Sequence, residues 1–114
     1  MKRGEIWLVN LDPTIGAEIR KIRPAIILNN DELGVLPIKV VIPITEWKEK
    51  FKVAPWMVHI LPNIKNGLTK NSSADCLQIR GIAKERFINK IGIVEVNILN
   101  NIELAVYLIL DLKV

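Results

Sequence analysis

Arg23 stands directly before Pro24, where the ring of the proline biases the backbone toward extended geometry and fixes the direction in which the guanidinium leaves a strand end. Its fork of donors can hold two phosphate oxygens at once, and a guanidinium that stays protonated cannot act as a general base. Charge stabilisation is its chemistry, with protonation of a leaving oxygen as a second role; by residue type alone, a solvated surface charge is the plainer reading. Thr45 follows Pro43 at the end of an apolar run, where a hydroxyl can face a groove and donate to a phosphate oxygen, although threonine also simply suits a strand. Gln78 and Arg80 alternate with Leu77 and Ile79, so on a strand they share a face and could meet bases or phosphates together. Glu18 and Lys21 belong to a loop, residues 12–22, that would lie beside Arg23 and could close over a bound chain. Glu18 is there a base, a loop anchor or a solvated charge.

The cluster Trp47-Lys48-Glu49-Lys50-Phe51-Lys52 interleaves aromatics with charges mostly of one sign, as a base-stacking, phosphate-tracking loop does. Its aromatics could equally pack at a contact between subunits. His59 suits acid or base work near neutral pH, but its place in an alternating strand reads as a surface or interface histidine. Cys76 has no histidine near it in sequence and reads as a small buried residue; Asp75 is a neighbouring carboxylate. With one cysteine and one histidine in the chain, neither an internal disulfide nor a zinc set of the usual Cys and His types can form, so no metal or cofactor is expected.

These side chains need a scaffold, and the chain reads as short strands separated by turn signals, the pattern of a small β barrel or sandwich. Residues 6–11 alternate between Gly4 and Asp12-Pro13. Residues 24–29 (PAIILN) and 39–45 (KVVIPIT) are apolar and branched, and so predict strands buried on both faces. Residues 53–61 put Trp56, Val58 and Ile60 on one face and Met57 and His59 on the other. After a polar loop over 62–73, strand character resumes over 74–82 and briefly over 91–94. Ile98, Ile102, Ala105, Ile109 and Leu112 then recur at helical steps, with Asn97 placed to cap an amphipathic helix. Leu99, Val106, Leu108 and Leu110 widen its apolar surface beyond one stripe, which predicts a helix partly covered in a homodimer.

The whole is 114 residues, the size of one domain over 1–114, half hydrophobic and a quarter charged, a balance that excludes a disordered chain. The longest apolar run, 104–110, is far short of the roughly 20 residues that a membrane span needs. Glu5, Asn10 and Asp12 interrupt any secretion signal after Met1-Lys2-Arg3, so the expected location is the cytoplasm. Sixteen Lys and Arg against twelve Asp and Glu give a net charge of +4, which favours a polyanionic partner without identifying one.

Gly4-Glu5-Ile6-Trp7, Pro13-Thr14-Ile15-Gly16-Ala17-Glu18 and Lys21-Ile22-Arg23-Pro24-Ala25, followed by Pro43-Ile44-Thr45, resemble the opening half of the MazF/PemK toxin family. Ser73-Ala74-Asp75, Gln78-Ile79-Arg80, Lys84-Glu85-Arg86-Phe87 and Ile91-Gly92 resemble its closing half, in order and at similar spacing. The resemblance implies a mainly β fold with a C-terminal helix, a small twisted SH3-like barrel that dimerises. It further implies cleavage of single-stranded RNA without a metal, leaving a cyclic phosphate and a 5' hydroxyl, and restraint by a cognate antitoxin protein. The family's dependence on the arginine of the Arg-Pro pair, and on the threonine two residues after the strand proline, falls here on Arg23 and Thr45. Glu18, Lys21, Trp47, Lys48, Gln78 and Arg80 are then candidate RNA contacts. Where some relatives carry an acidic residue just before the matching glutamine, this chain has Leu77.

That chemistry suits these residues, because the substrate's own 2' hydroxyl is the nucleophile and the protein need supply only geometry, positive charge and proton transfer. Two other readings share the fold: a toxin that binds and inhibits a topoisomerase, and a catalytically silent member that binds RNA or antitoxin. The presence of both Arg23 and Thr45 favours cleavage.

Overall fold

Apolar, branched runs form the centre of one antiparallel sheet in the computed structural model, which describes residues 1–113. The strands are β1 (Glu5–Asn10), β2 (Ile22–Ile27), β3 (Ile38–Glu46), β4 (Met57–Ile60), β5 (Ser72–Asp75), β6 (Arg80–Ala83) and β7 (Phe87–Ile93), with helix α1 (Val96–Leu110) last. Their order across the sheet is β4-β5-β3-β2-β1-β7, and β6 pairs with β3. The outer strands β4 and β7 do not pair with each other, so this is a twisted, barrel-like sheet that stays open.

Both faces of the sheet are covered at Ala25–Ile27 of β2 and Val41–Ile44 of β3, as their apolar runs predict. On one face Ile6, Ile26, Ile42 and Ile44 pack with Val58 and Ile60 beneath Ile102 and Ala105 of α1. On the other, Val9, Leu11, Ala25, Ile27, Val41 and Ile82 form a second, smaller core edged by Trp7, Ile19 and Phe87. Each such isoleucine, fully buried, contributes about 1.5–3 kcal/mol of transfer free energy. Trp7 and Trp56 sit half-buried at the margins of the two cores.

Several boundaries differ from the sequence reading, each for a local reason. The expected strand over 74–82 is broken by a 3-10 turn, Cys76–Gln78, because the Asp75 carboxylate accepts from the Leu77 N–H (3.2 Å) and so caps the turn. The strand expected over 53–61 shrinks to β4, with a 3-10 turn (Glu49–Val53) before it. β2 begins two residues earlier than expected, bringing Ile22 and Arg23 into the strand. The first half of β3 is covered on one face only, leaving Ile38 and Val40 exposed.

At α1 the cap is Glu95, not Asn97, which falls inside the first turn; the Glu95 carbonyl accepts from the Ile98 and Leu99 N–H groups. The helix ends in a Schellman closure, with Asp111 left-handed (φ 51°) and the N–H groups of Asp111 and Leu112 donating to Leu108 and Tyr107. Leu112 therefore lies beyond the helix. Leu104, Tyr107, Leu108 and Leu110 are exposed on its outer side. Among the described residues, no helix is long and apolar enough to cross a membrane.

Candidate active site

The ladder between β2 and β3 runs through Ile27↔Val41, Ile26↔Ile42 and Ala25↔Pro43, and there it stops. Pro43 has no N–H to donate, and from Ile44 onward β3 pairs with β5 instead. Arg23 and Thr45 each lie two residues beyond the last rung, and both line a cavity of about 580 Å³ that opens where the strands part. Leu8, Pro24, Ile44, Leu68 and Ile91 give the cavity an apolar floor. Lys48, Thr69, Lys70 and Glu46 add polar groups around it.

Another part of the cavity wall comes from the segment 61–71 between β4 and β5, of which Gly67, Leu68, Thr69 and Lys70 line it. Buried Asn66 organises it: its side chain accepts from the N–H groups of Asn63 and Leu68 (3.0 Å each) and donates to the Leu61 carbonyl (2.9 Å). Gly67 (φ +68°) then passes so close to β7 that a Cβ would stand 2.0 Å from the Ile91 carbonyl oxygen. A Cβ on Gly92 would meet the Asn66 carbonyl at 2.3 Å. Two glycines thus press this wall against β7 and place Thr69 and Lys70 on the cavity.

Of the residues singled out in the sequence, Arg23, Thr45 and Lys48 meet at this cavity. Arg23 is exposed; among the described residues its side chain makes one hydrogen bond, from Nη1 to the neighbouring Ile22 carbonyl (3.2 Å), and forms no ion pair. Its charge is free to meet an anion.

The other candidates are engaged elsewhere and do not line the cavity. Glu18 accepts from the Ile15 N–H (2.6 Å) and anchors its own turn. Gln78 accepts from the Ile19 N–H (2.6 Å) while its amide donates to the Ala17 carbonyl (3.3 Å) and to Asp75 Oδ2 (2.9 Å). Arg80 donates to the Leu11 carbonyl (3.3 Å), and Arg86, which the sequence did not single out for this, donates to the carbonyls of Asn10 and Asp12. The 3-10 turn removes the shared strand face on which Gln78 and Arg80 were expected to meet a ligand. Together these side chains tie the loop 12–22 to the body of the protein, and exposed, left-handed Lys21 (φ 69°) closes it as its carbonyl accepts from the Leu11 N–H (2.9 Å). Replacing Gln78 by alanine is expected to speed hydrogen exchange at Ile19 and proteolysis within 12–22 several-fold, with the melting of the remaining sheet little changed.

Trp47 stacks on His59 (centroids 3.9 Å apart, planes at 11°) and meets Phe51 edge-on. The aromatics of this segment therefore pack within the chain, and one indole face is already occupied. Burial pushes the Asp75 carboxyl above the usual aspartate range, against hydrogen bonds from Gln78 and the Leu77 N–H that favour its charged form. Burial, with the adjacent Asp75 charge, likewise pushes the Cys76 thiol up to about 12, so it is an inert buried residue. Among the described residues no three His, Cys, Asp or Glu side chains gather as metal ligands do.

Glu46, Thr69 and Lys70 were not singled out by sequence. The turn signal Asn66-Gly67 marks where the wall bends, but only the contact with Gly92 shows which way it faces.

The family model described as PemK-like, MazF-like toxin of type II toxin-antitoxin system matches residues 2–110. Endoribonuclease MazF9 of Mycobacterium tuberculosis is 37% identical over 118 residues, covering 98% of each chain. Among solved structures, MazF from Deinococcus radiodurans superposes with a TM-score of 0.82 over 98% of this chain and 97% of that one, at 17% identity. A mycobacterial endoribonuclease in complex with its cognate antitoxin superposes with a TM-score of 0.76 over 100% of this chain and 98% of that one, at 18% identity.

Proposed function

This chain belongs to the PemK-like, MazF-like family of type II toxin–antitoxin toxins, and we propose that it is an endoribonuclease that cleaves single-stranded RNA without a metal. The observation that carries the reading is the meeting of Arg23 and Thr45, two residues past the last β2–β3 rung, on one cavity with an apolar floor. A base laid on that floor brings the adjoining phosphate to the polar rim. As the 2' hydroxyl attacks phosphorus and loses its proton to water, the P–O5' bond breaks; Arg23 neutralises the charge that grows on the phosphate oxygens and hydrogen-bonds the leaving 5' oxygen, which takes its proton from water. Thr45 donates a hydrogen bond to the same phosphate. Lys48 and Lys70 draw in the flanking backbone.

Expected products are a 2',3'-cyclic phosphate and a 5' hydroxyl, formed at undiminished rate in excess chelator. End-mapping of cleaved RNA tests this; fragments carrying a 5' phosphate, or a reaction stopped by chelator, would sink it. The rival readings, a topoisomerase inhibitor or a silent binder, leave the Arg23–Thr45 arrangement without a purpose.

The protein works in the cytoplasm as a single domain restrained by an antitoxin. It is a homodimer, a reading supported by the exposed apolar side of α1, where Leu104 is 66% and Leu108 57% exposed. Leu108→Glu is expected to shift the sedimenting species from dimer to monomer at micromolar concentration while the circular dichroism spectrum is retained.

A further inference from the structure

Glu46 is the one carboxylate on a cavity whose other charged groups are Arg23, Lys48 and Lys70. Among the described residues it forms no ion pair, so neither lysine neutralises it. It is exposed at the last residue of β3, next to Thr45, with its backbone held in register opposite Ser72. A free carboxylate beside a phosphate path repels the substrate backbone, so it is costly there unless it meets a donor on the RNA.

The bases differ in what they offer to such a group. Ionised, a carboxylate only accepts, through two parallel oxygens. Guanine presents two adjacent donors on its Watson–Crick edge, N1–H and the N2 amine, and matches that pair. Adenine and cytosine set one amine beside a ring-nitrogen lone pair, and uracil sets one N–H between two carbonyls; each turns an acceptor toward the second carboxylate oxygen. In single-stranded RNA this edge is free to be read. A cavity of about 580 Å³ floored by apolar side chains is large enough to seat a base face-on with its edge toward the rim.

We propose that Glu46 is a specificity residue that selects a guanine in the RNA adjoining the phosphate held by Arg23 and Thr45. This rests on the ribonuclease reading above, and the test separates the two. A randomised RNA library cut by the wild-type protein is expected to show guanine at one fixed position beside the cut, and Glu46→Gln is expected to lower that preference about tenfold or more. Replacing that guanine by inosine, which lacks the N2 amine, should lower kcat/KM for the wild type about tenfold and for Glu46→Gln by much less. A wild-type consensus without guanine, or an equal inosine penalty in both proteins, overturns the proposal. So does loss of cleavage at every sequence in Glu46→Gln, which would make the carboxylate part of the proton transfer instead. If the wild type cuts no RNA, the ribonuclease reading fails on its own. Binding of the same library, made uncleavable with 2'-deoxy sugars, then decides Glu46: a guanine preference lost in Glu46→Gln upholds the assignment, and its absence overturns it.

Discussion

Replacing Arg23 by alanine is expected to lower RNA cleavage about a thousandfold, equivalent to about 4 kcal/mol of transition-state stabilisation. The side chain is exposed, reaches only a neighbouring carbonyl and supports no core residue, so the variant should fold with a stability within about 0.5 kcal/mol of the parent. Arg23→Lys keeps the charge but loses the planar fork, and should recover only part of the rate. Single-turnover cleavage of a mapped site, read beside thermal melting, checks both halves of the statement. Full activity in Arg23→Ala would remove the central element of the proposed mechanism.

The second large effect falls on folding, at the wall of the same cavity. Gly92→Ala should destabilise the protein by more than about 3 kcal/mol, because the new methyl would stand 2.3 Å from the backbone of Asn66 and one of two chain segments has to move. Gly67→Ala faces a 2.0 Å approach to the Ile91 oxygen together with a positive φ, and should be at least as damaging. Gly16 provides the comparison: its φ is +58° but nothing lies within 4 Å of the added carbon, so Gly16→Ala should cost only about 1 kcal/mol. Urea denaturation of the three variants ranks them. Equal small losses would mean that the wall against β7 is softer than its geometry implies.

The central strands were legible in the sequence because PAIILN and KVVIPIT are dense in apolar, branched residues, and their middles, Ala25–Ile27 and Val41–Ile44, are buried. Arg23 and Thr45 were legible through the resemblance, and their meeting follows from Pro43, which ends one ladder two residues before Thr45. What escaped the sequence depended on contacts distant along the chain. Gln78 looks like a ligand-facing strand residue until its amide is seen holding Ile19 and Ala17. Period-two reasoning over 74–82 failed where one short side chain, Asp75, out-competed the ladder for a backbone N–H. Asn97 looked like a cap because its residue type prefers that place, yet the chain turns two residues earlier, where buried Val94 docks and its N–H donates to the Gly4 carbonyl. Glu46 and Lys70 gave no signal at all, since a lone charge on a strand end or in a polar loop carries no period.

The parting of β2 and β3 bears on when activity can arise during synthesis. Arg23 and Thr45 are both present once β3 has been made, but the 61–71 part of their cavity wall is seated by Gly67 on Ile91 and by Gly92 on Asn66, contacts that need β7. A growing chain that ends before β7 has the reactive pair and no cleft around it. Contacts this distant in sequence also form late in folding. The ribosome that makes this nuclease therefore holds a harmless chain until β7 has been made.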